Sequence, residues 1–300
     1  MTFIDSRNAR LNKRGKVPYI EFPIFSDMPF VIHGFSTRLG GVSTGMFSSM
    51  NLGSGSSPYK DSPANIKENF IRISNSIGVD PNSLVVSDQV HKTEIRLVND
   101  GDMGKGFNNP RDYKEIDGLI TNTPGITLVT KYADCVPLYF VDPVKYAIGL
   151  SHSGWKGTVN RIGYKTVKEM GNAFGSNPKD IIAVIGPSIC MDCYEVGEEV
   201  ALEFRNAFLN IGDNKLFDDG ASPILVKNQR GRYQLNLWEA CRRVLLEAGL
   251  CKENIHISKV CTSCNSQLLF SHRKSKGKRG SLGAFLAISA NKQINPRKPI

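Results

Sequence analysis

No stretch of this chain approaches the roughly 18 consecutive apolar residues of a membrane-spanning helix. The N-terminal MTFIDSRNARLNKRGKVPYIEF has no continuous apolar core, so a secretory leader is not expected. Cysteines number seven, an odd count that argues against a disulfide framework. Reduced thiols, buried or ligating, and a cytoplasmic location are expected instead. Internal repeats are absent, and low complexity is confined to one basic run. Histidine is scarce. His33, His91, His152, His256 and His272 are the whole supply, so any imidazole-based metal site must draw on very few residues.

The chain has 300 residues and 40% hydrophobic content, enough core for one large or two ordinary domains. Its formal charge is +10, which suits phosphate, anionic lipid or nucleic acid. The densest basic run is His272-Arg273-Lys274-Ser275-Lys276-Gly277-Lys278-Arg279. It reads as a solvated loop or a phosphate-binding one. Nucleic acid is not expected as a partner, because no helix-turn-helix, RNA-recognition or zinc-finger pattern accompanies it.

Short apolar runs bounded by turn residues predict strands at Phe30–Phe35, Ser83–Val86, Glu94–Val98, Gly125–Tyr132, Val136–Val141, Tyr146–Leu150, Asp180–Gly186, Asn254–Val260 and Leu282–Ser289. Helical spacing predicts Ile66–Ile77 after a Ser62-Pro63 start, with Gly78 as C-cap. Further helices are expected over Gly157–Phe174, Glu198–Leu209 and Leu237–Ala248, the last capped by Asn236. A polar loop is expected at Asp213–Ser222.

Three groups of residues point to chemistry. His91, Cys135 and His152 are the donor types of an open zinc site, with three protein ligands and a free position. Cys135 with His152 equally suits a thiol nucleophile and its base, oriented by Asp134 or Asn160. Two Cys-x-x-Cys pairs, Cys190/Cys193 and Cys261/Cys264, would together make a closed four-thiolate site. Their separation far exceeds that of common ribbons, and inert buried thiols are the competing reading. The turn Ser36–Ser43 contains glycines beside Arg38, whose planar fork suits an anion. It lacks the Gly-Lys-Ser/Thr ending of a Walker loop. His33 upstream reads either as a satisfied core histidine or as part of that anion site.

The ordered motifs HGFSTRLGGVS (His33–Ser43), QVH (Gln89–His91), DGLIT (Asp117–Thr121), ADCVP (Ala133–Pro137), HSGWKGT (His152–Thr158), GPSI…CYEV (Gly186–Val196) and the Cys261–Arg273 segment resemble the YfiH-like proteins. These are also described as laccase-domain or polyphenol-oxidase-like proteins and as purine nucleoside phosphorylases. The resemblance implies an α+β fold of mixed β-sheets packed together and flanked by helices. It implies one domain over residues 1–300, with a loose leader at about 1–16 and a tail at about 290–300. It also implies that His91, Cys135 and His152 hold one metal, zinc in preference to copper, and that the Cys-x-x-Cys pairs do not serve as a metal site.

The implied activity is phosphorolysis of adenosine, inosine, guanosine and methylthioadenosine, with adenosine deamination as a further activity. Copper-dependent phenol oxidation, also attached to the family, would need many more histidines than five. A cysteine hydrolase using Cys135 and His152 and a non-catalytic nucleotide- or phosphate-binding protein are the rival readings. Asp134 and Arg38 are the expected catalytic side chains. Arg38, Ser36, His33 and Arg273 are the expected contacts to phosphate or nucleoside, in a monomer or homodimer. Many relatives carry Thr-Gly-Arg after the basic loop, where this chain has Arg279-Gly280-Ser281. That departure puts contacts from the end of the loop in doubt.

Overall fold

The computed structural model describes residues 6–56, 58–208 and 223–290. The first half of the chain gives β1 (Arg10–Asn12), β2 (Tyr19–Glu21), α1 (Pro23–Ser26), β3 (Val31–Ser36), β4 (Gly55–Ser56), β5 (Tyr59–Lys60), α2 (Pro63–Ile77), β6 (Leu84–Val86), β7 (Ile95–Leu97) and β8 (Gly118–Thr121). The central segment gives β9 (Thr127–Tyr132), β10 (Val136–Asp142), β11 (Ala147–Ser153), α3 (Trp155–Val159), α4 (Ile162–Phe174) and β12 (Ile182–Ile185). Then come β13 (Glu195–Val196), α5 (Glu198–Phe208), β14 (Leu225–Lys227), β15 (Tyr233–Leu235), α6 (Leu237–Glu247), β16 (Ile255–Ile257) and β17 (Leu282–Ile288).

Two six-stranded mixed sheets dominate. One runs β1-β2-β3-β17-β9-β6, the other β16-β12-β10-β11-β8-β7. The pleat sends alternate residues to opposite faces, and in the central strands both faces are buried. Tyr139 and Val141 of β10 point between the sheets, with Leu128 of β9 and Leu286 of β17. Leu138 and Phe140 point the other way, against Ile162, Val167, Val244 and Leu245 from α4 and α6. On the far side of the first sheet, Val129 and Phe285 meet Phe70 and Ile73 of α2. The layers are therefore helix, sheet, sheet, helices, which is the α+β arrangement expected. Such double-sided burial explains why these strands read as unbroken apolar runs.

Two sequence expectations change. The single helix expected at Gly157–Phe174 is split into α3 and α4, because Arg161 takes a left-handed φ of 64°. Its guanidinium fixes that break by donating to the Val159 carbonyl at 3.0 Å and to Glu247 at 2.8 Å. Residues 10–12, placed in a loose leader, pair with β2 as an edge strand. The loop at Asp213–Ser222 and most of the expected C-terminal tail lie outside the described residues. The helix caps hold: the Gly78 N–H donates to Ser74 O with φ 89°, and the Asn236 side chain accepts from Glu239 N.

His33 belongs to this core. Its Nε2 accepts the Phe22 N–H at 2.8 Å, and its ring stacks on Phe22 with centroids 5.6 Å apart. Burial pushes its pKa down to about 3. Between that value and the roughly 6.5 of an unfolded histidine, the unfolded chain binds the extra proton. This contribution is fully present above about pH 6.5. It falls by roughly 1.4 kcal/mol per pH unit as pH drops towards 3. His33→Gln keeps an acceptor for Phe22 N–H without the titration. Urea midpoints measured at pH 7 and pH 4.5 should therefore separate less in the variant than in the parent. Equal separations would remove His33 from the account of acid lability.

Candidate metal centre and active-site pocket

Asp117 organises the site. It precedes β8 and is fully buried. Its Oδ1 accepts from His152 Nδ1 at 2.8 Å and from the His91 N–H at 3.0 Å. Its Oδ2 accepts from the Val90 N–H at 3.0 Å and the Lys92 N–H at 2.9 Å. Its own carbonyl accepts the His152 N–H at 2.8 Å. Burial alone would raise this carboxyl, but His152 and the backbone donors outweigh it and hold its pKa below the usual value. One side chain thus orients one imidazole and clamps the loop that carries another. That clamp maintains His91 at a left-handed φ of 64°, a conformation a histidine seldom adopts unaided.

Cys135 lies immediately before β10, and His152 lies on the paired strand β11, opposite Pro137. The ligating atoms of His91, Cys135 and His152 all fall within 4.8 Å of one another. Cys135 Sγ is 4.0 Å from His91 Nε2, and the two imidazole rings meet edge to face at 4.8 Å. Because His152 Nδ1 donates to Asp117, its Nε2 is the ring nitrogen left for a ligand. Burial alone would raise the Cys135 thiol, yet the charge and hydrogen bond of His152 bring its pKa down to about 6. Burial alone would lower His152, yet Cys135 and Asp117 push it up to about 9. Thiolate and imidazolium favour each other here, and a divalent cation would replace the imidazolium proton.

The donor set fits a metal. Two imidazoles and a thiolate suit zinc or another borderline cation, and the carboxylate behind one imidazole is the usual support of a metal-binding histidine. Gly154 supplies the space. A Cβ there would stand 3.0 Å from His91 Cδ2 and 3.1 Å from Cys135 Sγ. Its φ of −74° suits any residue, so room, not backbone freedom, requires glycine. Gly154→Ala is accordingly expected to fold and to bind zinc at least ~10-fold more weakly, read by chelator competition. Unchanged affinity would show that the ligands give way freely.

His91 and Cys135, with His152 buried behind them, open on a cavity of about 380 Å³, whose walls include Trp155, Tyr194, Asp134, His272, Arg273 and Arg279. A second cavity of about 250 Å³ adjoins it. His272 and Arg279 line both, and Lys131 lines the second. Burial lowers the pKa of Arg279, His272 and Lys131, with Arg279 adding to the effect on His272 and Arg111 to that on Lys131. The Arg273 guanidinium lies over the Tyr194 ring at 5.1 Å and donates to the Glu195 carbonyl at 2.8 Å. Arg279 donates to Ser281 Oγ at 2.9 Å. It therefore reaches past Gly280 to Ser281, the position at which the family resemblance implies an arginine.

The structure brings together His91, Cys135, His152, Asp134 and Arg273. It sends His33, Ser36 and Arg38 elsewhere, a correction to the sequence expectation for substrate contacts. His33 is the core residue described above. Ser36 is fully buried, and its Oγ accepts the Gly283 N–H at 2.8 Å. Arg38 donates to Ser48 O at 3.0 and 2.9 Å and to Ser266 O at 2.9 Å, over the Phe270 ring. Its fork grips carbonyls and ties two loops together, leaving little for phosphate. Asp134 lines the pocket, but both oxygens are taken: Thr262 Oγ1 donates at 2.6 Å and the Arg273 N–H at 2.7 Å. That geometry suits a positioning residue better than a proton carrier. The sequence assigns Asp117, Trp155 and Tyr194 no role at this site, and it marks His272 and Arg279 only as parts of a solvated or phosphate-binding loop. For Asp117, the DGLIT motif was the available signal.

Known proteins are similar to this chain in sequence and in fold. The family described as multi-copper polyphenol oxidoreductase laccase matches residues 32–289. Purine nucleoside phosphorylase YlmD of Bacillus subtilis is 39% identical over 267 residues, covering 86% of this chain and 88% of its own. A protein from an unknown prokaryotic organism, named adenosine deaminase RL5, is 32% identical over 81% of this chain and 88% of its own. The crystal structure of a Bacillus licheniformis hypothetical protein, YfiH, superposes with a TM-score of 0.81 at 33% identity, covering 93% of this chain and 99% of that one. With its two packed sheets and its matched sequence, the chain belongs to the laccase-domain family of YfiH- and YlmD-type proteins.

Proposed function

We propose that this protein is a purine nucleoside phosphorylase whose reaction takes place in the cavity beside His91, Cys135 and His152. The observation that carries the reading is the junction of that cavity with a second, cationic one across Arg279 and His272. A nucleoside and a phosphate need adjoining compartments of this kind. The B. subtilis relative bearing the same activity in its name supports the assignment.

Trp155 and Tyr194 offer flat faces for the purine. Arg279 and Lys131 offer positive charge to phosphate, and Arg273 stands beside them on the first cavity. A phosphate oxygen forms a bond to C1′ as the C1′–N9 bond breaks. The electron pair of the broken bond leaves with the purine, which then takes a proton. Positive charge builds on the sugar between these events, and holding phosphate on one face stabilises it. Asp134 positions Arg273 through its backbone N–H. A zinc ion held by His91, Cys135 and His152 would supply Lewis acidity to an oxygen of a bound reactant. Copper oxidation of phenols fits poorly, because His33 is committed to the core and the triad uses only two of the other four histidines.

Adenosine deamination is a second reading, favoured by the relative named for it. The two separate on products. Adenosine with phosphate should yield adenine, and adenosine without phosphate should yield none. Inosine formed equally in both conditions, without adenine, would favour the deaminase. Absence of any product would favour a binding protein. Arg279→Gln should raise the KM for phosphate about 10-fold or more while moving the KM for nucleoside little. Parallel changes in both would remove Arg279 from phosphate binding.

A further inference from the structure

Four thiols gather away from the catalytic cavity's metal ligands. Cys190 caps and Cys193 ends the short turn Met191–Cys193 that follows β12, and Cys261 and Cys264 follow β16. The pairs lie 71 positions apart, yet the four sulfur atoms fall within 4.8 Å of one another. Cys193 Sγ is 3.5 Å and Cys190 Sγ 4.0 Å from Cys264 Sγ. Thiolates held about 2.3 Å from a tetrahedral zinc stand about 3.8 Å apart, so these separations already match the edges of that tetrahedron.

The backbone supports the same arrangement. Cys190 N–H donates to Cys261 Sγ at 3.3 Å, and Cys264 N–H donates to it at 3.4 Å. Such donors stabilise sulfur as an anion. The two loops are also registered to each other: Ser188 N–H donates to Val260 O and Thr262 N–H donates to Ser188 O, each at 3.1 Å. Cys241 gives a contrast within the same chain. It is buried, packed in the helix-side core, and bonded to Ser153 and Thr158 hydroxyls, as an inert thiol would be. The four clustered cysteines face one another instead, with Cys264 exposed and Cys190 and Cys193 half-buried. A metal can reach them from solvent.

We propose that Cys190, Cys193, Cys261 and Cys264 bind a structural zinc ion, separate from the catalytic centre. On binding, four S–H protons leave to solvent as four Zn–S bonds form, with no change of oxidation state. The ion closes its own coordination and does no chemistry on substrate. It staples the turn leading to Tyr194 against the loop carrying Thr262, and both loops also meet Asp134. Ile189 N–H donates to the Asp134 carbonyl at 3.0 Å, and Thr262 Oγ1 donates to its carboxylate at 2.6 Å. The site thereby fixes a wall of the cavity from behind. The proposal departs from the expectation, drawn from the family resemblance, that the Cys-x-x-Cys pairs hold no metal.

The test uses the full chain produced with zinc in the medium. Metal content and X-ray absorption are measured on the parent and on a His91→Ala/His152→Ala double variant. The double variant should retain about one zinc per chain in a shell of sulfur atoms only. Adding Cys193→Ser and Cys264→Ser to it should remove that zinc. If those changes prevent folding, the sulfur-only shell in the double variant still decides the matter. A double variant without metal, its four thiols open to a maleimide probe, would overturn the proposal. Iron in the site, with the visible absorbance of an iron–thiolate centre, would overturn the choice of zinc. Neither outcome depends on turnover, so the result stands apart from the phosphorylase assignment.

Discussion

His91→Ala should fold normally and lose turnover by about 1,000-fold or more, roughly 4 kcal/mol of transition-state stabilisation. His91 is exposed on the pocket side, so its removal opens no core cavity and leaves the sheets untouched. The change deletes one of three donors and leaves Cys135 with His152. Two donors do not hold zinc as three do. A cysteine hydrolase would respond differently, because its nucleophile and base would both survive. The measurement is turnover together with metal content of the same preparation, after thermal melting has shown the fold to be intact. Loss of zinc from this site with loss of turnover is the expected pair. Near-parental turnover in a protein whose triad holds no metal would return Cys135 to the role of nucleophile.

Asp117→Asn should weaken zinc binding by about 100-fold and lower the melting temperature as well. The carboxylate accepts four hydrogen bonds, one from an imidazole and three from successive backbone N–H groups. An amide offers one oxygen, and its NH2 would face donors. Buried donors left without acceptors cost about 1–3 kcal/mol each, moderated here because the 90–92 loop borders solvent. The variant thus frees both the His152 ring and the loop that presents His91. Zinc affinity by chelator competition and melting temperature should fall together. Parental zinc affinity would show that His152 and His91 are placed by packing alone.

The strands of the two large sheets were legible because burial on both faces leaves an apolar run in the sequence. The break at Arg161 was not, since the apolar spacing continues across it and only φ records the turn. His91, Cys135 and His152 were legible through their motifs, which the residue types alone would have left ambiguous. Asp117 stood in one of those motifs with no role, because its partners lie 25–35 positions away and no spacing links them. Arg38 misled for a related reason. An arginine beside a glycine turn reads the same whether its fork meets phosphate or, as here, the carbonyls of Ser48 and Ser266. The Cys-x-x-Cys pairs had the right internal spacing, but their meeting depends on β12 and β16 lying side by side as parallel neighbours.

The central claim is that a phosphate oxygen attacks the sugar carbon of a nucleoside in this cavity. Inosine incubated with oxygen-18-labelled phosphate tests it directly. Hypoxanthine and ribose 1-phosphate should form in equal amounts, with a labelled oxygen bridging carbon and phosphorus. Free ribose, with all the label left in inorganic phosphate, would contradict it.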